Sequence, residues 1–111
     1  AAVASLLRVG ASFSVVERVV HELLQNSNPS IRSGIAKALG NGQGPKITAT
    51  LTVILNDPLP RPRISAVRSL GRIQERRVLP VLKRTLRDSD AAVRVTAAAA
   101  IVRVLDAKIG I

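Results

Sequence analysis

The chain has 111 residues, with 17 Lys and Arg against 7 Asp and Glu, and it contains no Cys, Trp, Tyr or Met. That length holds one modest core, and the missing cysteines exclude a disulfide framework, a thiolate metal site and a thiol nucleophile while leaving the redox compartment open. A hydrophobic content of 47%, almost all Ala, Val, Leu and Ile, excludes compositional disorder; with Phe13 as the only ring, it suits helices packed in close layers better than a core filled by aromatics.

The first element expected is a short helix over roughly 2–9. Arg8 interrupts its apolar stretch and no basic segment precedes it, so it does not read as a secretory leader. No apolar run approaches the ~18 residues needed to span a bilayer. Without an initiating Met, the chain reads as an excerpt of a longer protein, cytoplasmic by default. Further helices are expected at 14–25, 30–39, 46–55, 62–72, 76–87 and 91–104, from apolar residues at spacings of four such as Val16, Val20 and Leu24. The breaks are NSNPS at 26–30, NDPLP at 56–60 and DSDAA at 88–92, whose Asn, Asp, Ser and Pro favour turns and caps. GNGQGP at 40–45 is the loosest connector.

Sliding the chain against itself by 31 residues aligns these elements. Arg32, Arg63 and Arg94 coincide, as do Asn26, Asp57 and Asp88. Apolar columns follow: Val16, Ile47 and Val78; Val20, Leu51 and Leu82; Leu24, Leu55 and Leu86; Ile35, Ala66 and Ala97; Leu39, Leu70 and Ile101. The expected architecture is an all-α solenoid of antiparallel helix pairs, roughly three to three and a half units of 31 residues. Units fall at 14–40, 45–71 and 76–104, residues 1–9 are the second helix of a preceding unit, and LDAKIGI at 105–111 starts a further one. The whole of 1–111 is one domain, whose neighbours are further repeats of the same parent chain.

This pattern resembles HEAT repeats, specifically the short class found in phycobilisome-lyase-type proteins. RVLPVLKRTLRDSDAAVRVTAAAAIVRV at 77–104 carries the resemblance most clearly, and NPSIRSGIAKALG at 28–40 nearly as well. PRPRISAVRSLGRI at 60–73 departs, with Pro62 where the other units have Ile31 and Val93; a proline near the first helical position is tolerated. The resemblance implies an Asp–Arg ladder between repeats, second helices along a concave surface, and a connection to bilin lyases or phycobiliprotein handling.

The charges sort into two groups. Arg63 shares a helix side with Ala66 and Leu70, so it and its equivalents Arg32 and Arg94 are expected to be structural, paired with Asn26, Asp57 or Asp88. Between 61 and 87 the other basic residues face Glu75 as the only acid. Arg61, Arg68 and Arg72 form a stripe opposite Ala66 and Leu70, which the repeat register extends to Lys37 and Arg103. A second basic patch comprises Arg76, Arg77, Lys83, Arg84 and Arg87.

Catalytic chemistry is missing. His21 is the only histidine and sits near Glu17 and Glu22, too few ligands for zinc. The serines have no His–Asp context, and GNGQGPK at 40–46 lacks the ending of a phosphate loop and joins two helices. No enzyme activity, cofactor or metal is expected. The function expected is a scaffold presenting a basic concave surface to an acidic protein or peptide, with duplex nucleic-acid backbone the alternative; the absence of aromatics in the groove disfavours single-strand binding.

Overall fold

A computed structural model of the chain describes residues 13–109. The helix expected at 2–9 lies outside them. The described elements are α1 (Phe13–Leu23), α2 (Pro29–Leu39), α3 (Pro45–Ile54), α4 (Pro60–Ile73), a 3-10 turn (Arg76–Val78), α5 (Leu79–Thr85) and α6 (Ala91–Ile109). Proline opens α2, α3 and α4, where its missing N–H has no carbonyl to meet and its fixed φ suits a helix start. Pro62 falls in the first turn of α4 and is buried there without breaking it.

Side chains from the turns start or tie the next helix. Asn28 Oδ1 accepts from Ser30 N at 2.9 Å, and Asp90 Oδ1 accepts from Val93 N at 3.0 Å. Two boundaries differ from expectation by more than two residues. The 76–87 segment is a 3-10 turn followed by a shorter helix, because Pro80 cannot donate into an α-ladder running from Arg76. The last helix passes the expected end near Val104 and continues to Ile109, since no Gly or Pro occurs before Gly110. Residues 105–109 therefore lengthen α6.

Each first helix packs on the second helix of its own hairpin, α1 on α2, α3 on α4 and α5 on α6, while α4 packs along both α2 and α6. The result is an α-solenoid: stacked helical hairpins in a body of 34 × 32 × 18 Å, with no strand among the described residues. Its thin dimension is about two helix diameters.

The core runs between the two layers. Val16, Ile47 and Val78 are buried, as are Val20, Leu51 and Leu82, and then Ile35, Ala66 and Ala97. Two expected apolar columns are not core throughout: Leu24 and Leu55 are half-buried and Leu86 is exposed, and Ile101 is half-buried where Leu39 and Leu70 are buried. Leu55 and Leu86 follow the last turns of α3 and α5, so they lie at the lip of the layer. Small residues let the second helices approach closely. A Cβ on Gly71 would sit 2.9 Å from the Ala100 Cβ and 3.1 Å from its Cα, so α4 and α6 touch backbone to backbone there.

Candidate functional site

The second helices place four of the five stripe residues around one cleft. Lys37 from α2, Arg68 and Arg72 from α4, and Arg103 from α6 line a hollow of about 570 Å³. Ser65, Ser69, Gly71, Val95, Thr96, Ala99 and Ala100 complete the lining. Lys37, Arg68 and Arg103 are exposed, and their side chains meet no hydrogen-bond acceptor among the described residues. The buried part of the lining is Ser69, Gly71 and Ala100, and Val95 and Ala99 add exposed apolar surface from α6. Arg61, the fifth stripe residue, does not line the cleft; its Nη1 donates to Ser30 Oγ at 2.9 Å and ties α4 to α2 at their N-terminal ends.

Arg72 is not freely available, contrary to expectation. Its Nη2 donates to the Lys37 carbonyl at 2.9 Å and contacts Ser69 Oγ at 3.3 Å. The carbonyls of the last helical turn carry partial negative charge, which is why a guanidinium settles there. Gly40 leaves the room: a Cβ at that position would lie 2.2 Å from Arg72 Nη2 and 2.7 Å from Ser69 Oγ. Ser69 is itself buried, and its hydroxyl donates to the Ala36 carbonyl at 2.6 Å. Arg72 thus clamps the end of α2 while walling the cleft. Only a contact between side chain and backbone across hairpins reveals this, and no repeat column in the sequence marks it.

The arginines on the packed side form a different arrangement. Arg32 Nε and Nη2 donate to the Asp57 carboxylate at 2.6 and 3.1 Å, and Nη1 donates to the Asn26 carbonyl at 2.8 Å. Thirty-one positions along, Arg63 makes the same three bonds to Asp88 and to the Asp57 carbonyl. Each guanidinium therefore joins the turn of its own hairpin to the carboxylate of the next. Arg94 repeats the first half, with Nη1 on the Asp88 carbonyl at 2.8 Å. The three turn residues also act alike within their own turns, since Asn26, Asp57 and Asp88 each accept, through Oδ1, the backbone N–H two residues on.

Burial opposes ionisation of the Asp57 carboxyl, but the bonds from Arg32 and the Leu59 N–H outweigh it and hold the group below the usual aspartate range. Asp88 is lowered in the same way, with burial overcome by the Asp90 N–H and the Arg63 guanidinium. Arg32 is raised in return, chiefly by its hydrogen bond to Asp57.

The second basic patch does not gather into one site. Arg84 and Arg87 line a smaller hollow of about 220 Å³ with Asp88. Arg77 lines another, beside Pro45 and Val78, and pairs with Glu75 at 2.9 Å. Arg76 and Lys83 are exposed and line none of these three hollows. Glu75 also accepts from Gly44 N at 3.3 Å, so the glycine-rich connector is anchored to the next hairpin and is not the loose link expected. Gly44 sits at φ 111, where a side chain would be strained. His21 is exposed on α1, and the described residues contain no group of three or more His, Cys, Asp or Glu able to hold a metal. None of the described helices is long and apolar enough to cross a membrane.

A search of curated proteins finds no match to the chain. A protein-family model described as HEAT repeats matches residues 48–108, more than half of the chain and both hairpins that carry Asp57, Arg63, Asp88 and Arg94. The chain belongs to the HEAT-repeat family.

Proposed function

We propose that the chain is a non-catalytic binding module whose α2–α4–α6 cleft takes an acidic, amphipathic segment of a protein partner. HEAT repeats commonly serve as protein-interaction scaffolds, which supports the class of function. The single observation behind the finer reading is the construction of the cleft. It sets apolar surface from Val95, Ala99 and Ala100 beside the cations Lys37, Arg68 and Arg103. The apolar surface gains from burying aliphatic side chains, while the cations select carboxylates and steer their approach. A duplex backbone offers charge but nothing to cover the apolar part, so it uses half of the surface. The bilin-handling reading rests on sequence resemblance, and no lining residue adds to it.

The test is a fluorescence titration with a helical peptide carrying Glu on one face and Leu on the other. It should bind, weaken moderately with salt, and resist competition by duplex DNA. Duplex bound through Lys37, Arg68 and Arg103 would instead show a log–log salt slope of about −3, from about −0.9 per phosphate neutralised. That slope, with the peptide displaced, would replace the proposal by nucleic-acid binding.

A further inference from the structure

Charges that recur in the repeat are structural, as Arg32 and Arg63 show by gripping Asp57 and Asp88. Arg84 and Arg87 do not recur. Glu22 and Val53 stand at the first position in the preceding units, and Gln25 and Asn56 at the second. The neighbouring units therefore fold without a cation at either place. Both arginines are exposed, and neither has an ion pair among the described residues. Beyond α5 the chain tightens into i→i+3 bonds, with the Arg87 N–H donating to the Arg84 carbonyl at 3.0 Å. Side chains three apart in such a turn lie on the same side, and the two arginines line one hollow of about 220 Å³ between α3 and α5.

The other polar groups of this hollow are mostly engaged. Asp88 accepts both fork donors of Arg63 and the Asp90 N–H. Thr52 and Thr85 donate to the carbonyls of Thr48 and Val81, each at 2.8 Å. Among the described residues, the side-chain donors left over are those of Arg84, Arg87 and Asn56. The hollow continues along the layer of first helices. α4 packs closely along α2 and α6, whereas α3 and α5 make few contacts with each other. The gap holds a further hollow of about 190 Å³, which shares Thr52 and Val81 with the first and adds Pro45, Ala49 and Val78. Arg77 flanks this apolar trough but is paired with Glu75. Hollows of that size admit an extended chain, not a helix about 10 Å across.

We infer that this α3–α5 groove binds an extended peptide segment through a phosphorylated side chain, with the phosphate on Arg84 and Arg87 and flanking aliphatic residues in the trough beside Ala49 and Val81. A carboxylate offers two oxygens and one charge, enough for one guanidinium fork. A phosphate monoester offers three oxygens and a charge near −2, enough for both. A nucleic-acid phosphate carries a single charge and brings no aliphatic group to the trough. The groove shares no lining residue with the α2–α4–α6 cleft, so neither reading depends on the other.

The test titrates the full chain with labelled peptides that set phosphoserine, serine or glutamate among valines. The phosphoserine form should bind at least about tenfold more tightly than the other two, because it alone engages both forks. Arg84→Gln with Arg87→Gln should erase that preference and leave the helical circular dichroism unchanged. Arg76→Gln with Lys83→Gln removes the same charge from exposed positions outside the groove and should leave the preference intact. Ala49→Leu, which fills the trough, should weaken the phosphopeptide but not inorganic phosphate used alone as the probe. Equal affinity for the phosphoserine and glutamate peptides would overturn the inference, as would a preference that survives loss of Arg84 and Arg87 or falls equally with Arg76 and Lys83. So would inorganic phosphate binding as tightly as the phosphopeptide, or short duplex DNA displacing it through the same two arginines.

Discussion

Arg63 grips Asp88 with two parallel donors, Nε and Nη2, each 3.0 Å from a carboxylate oxygen, while its Nη1 holds the Asp57 carbonyl at 2.8 Å. One side chain thus joins two successive turns. Both partners are largely covered, at 11% and 13% exposure, so water replaces these bonds poorly if one partner is removed. Arg63→Ala should cost about 3 kcal/mol, the scale of charge-assisted hydrogen bonds at a mostly covered site. Arg68→Ala, an exposed residue without an ion pair among the described residues, should cost under about 1 kcal/mol. Urea unfolding of the two variants checks this, and equal losses would contradict the structural role of Arg63.

The same pairs set an acid limit to stability. Asp57 and Asp88 are depressed below 3.8 in the folded protein, so the unfolded chain takes up their protons first as pH falls. Their contribution is complete above the unfolded value and is lost as pH drops through the folded one. The melting temperature should therefore be insensitive to these groups between pH 7 and 5 and decline below about pH 4. Asp88→Asn should melt lower at pH 7 and decline less steeply in acid. Parallel pH profiles for the variant and the parent would show that Asp88 does not set this limit.

Gly71 tests the close approach of α4 and α6. Alanine is the better helix former by about 1 kcal/mol, which by itself predicts stabilisation. A Cβ there meets Ala100 at 2.9 Å, including backbone at 3.1 Å that cannot step aside as a flexible side chain would. Overpacking of that kind costs about 1–3 kcal/mol, so the net effect of Gly71→Ala should be a loss. A rise in melting temperature would show that the helices can part without penalty.

Arg72 should behave unlike its stripe neighbours. Arg72→Glu removes the clamp on the α2 carbonyls and sets a carboxylate against the negative end of that helix, so it should lower stability. Arg68→Glu should leave stability nearly unchanged. Thermal melts of the two reversals distinguish a clamping residue from an exposed one.

The helix order was legible in the sequence because periodicity and proline placement act locally. Val16, Ile47 and Val78 announce a buried face by spacing alone, and Pro29, Pro45 and Pro60 announce helix starts. The columns of Arg32 and Arg63 against Asp57 and Asp88 were legible too, since an ion pair repeated between hairpins leaves a repeated signature. The partner choice was not: that Arg63 reaches forward to the Asp88 carboxylate and back only to the Asp57 carbonyl depends on the offset between hairpins. For the cleft, the register brought Lys37, Arg68, Arg72 and Arg103 together on paper, but it could not separate exposed cations from one bound to a helix end. Arg72 and Arg68 differ by what lies across from them, and Gly40 supplies that difference from another hairpin. The scatter of Arg76, Arg77, Lys83, Arg84 and Arg87 has the same origin: the patch presumes one continuous helix over 76–87, and a 3-10 turn takes Arg76 and Arg77 out of that register.

The central claim is that Lys37, Arg68 and Arg103 hold an acidic segment against the apolar surface of Val95, Ala99 and Ala100. The most direct measurement is the affinity of the Glu/Leu-faced helical peptide for the parent chain and for the Arg68→Glu, Arg103→Glu double variant, with helicity followed by circular dichroism. Each cationic contact is worth about 1 kcal/mol and each reversal adds repulsion, so the double variant should bind more than about tenfold more weakly with unchanged helicity. Equal affinity of parent and variant for the peptide would contradict the claim.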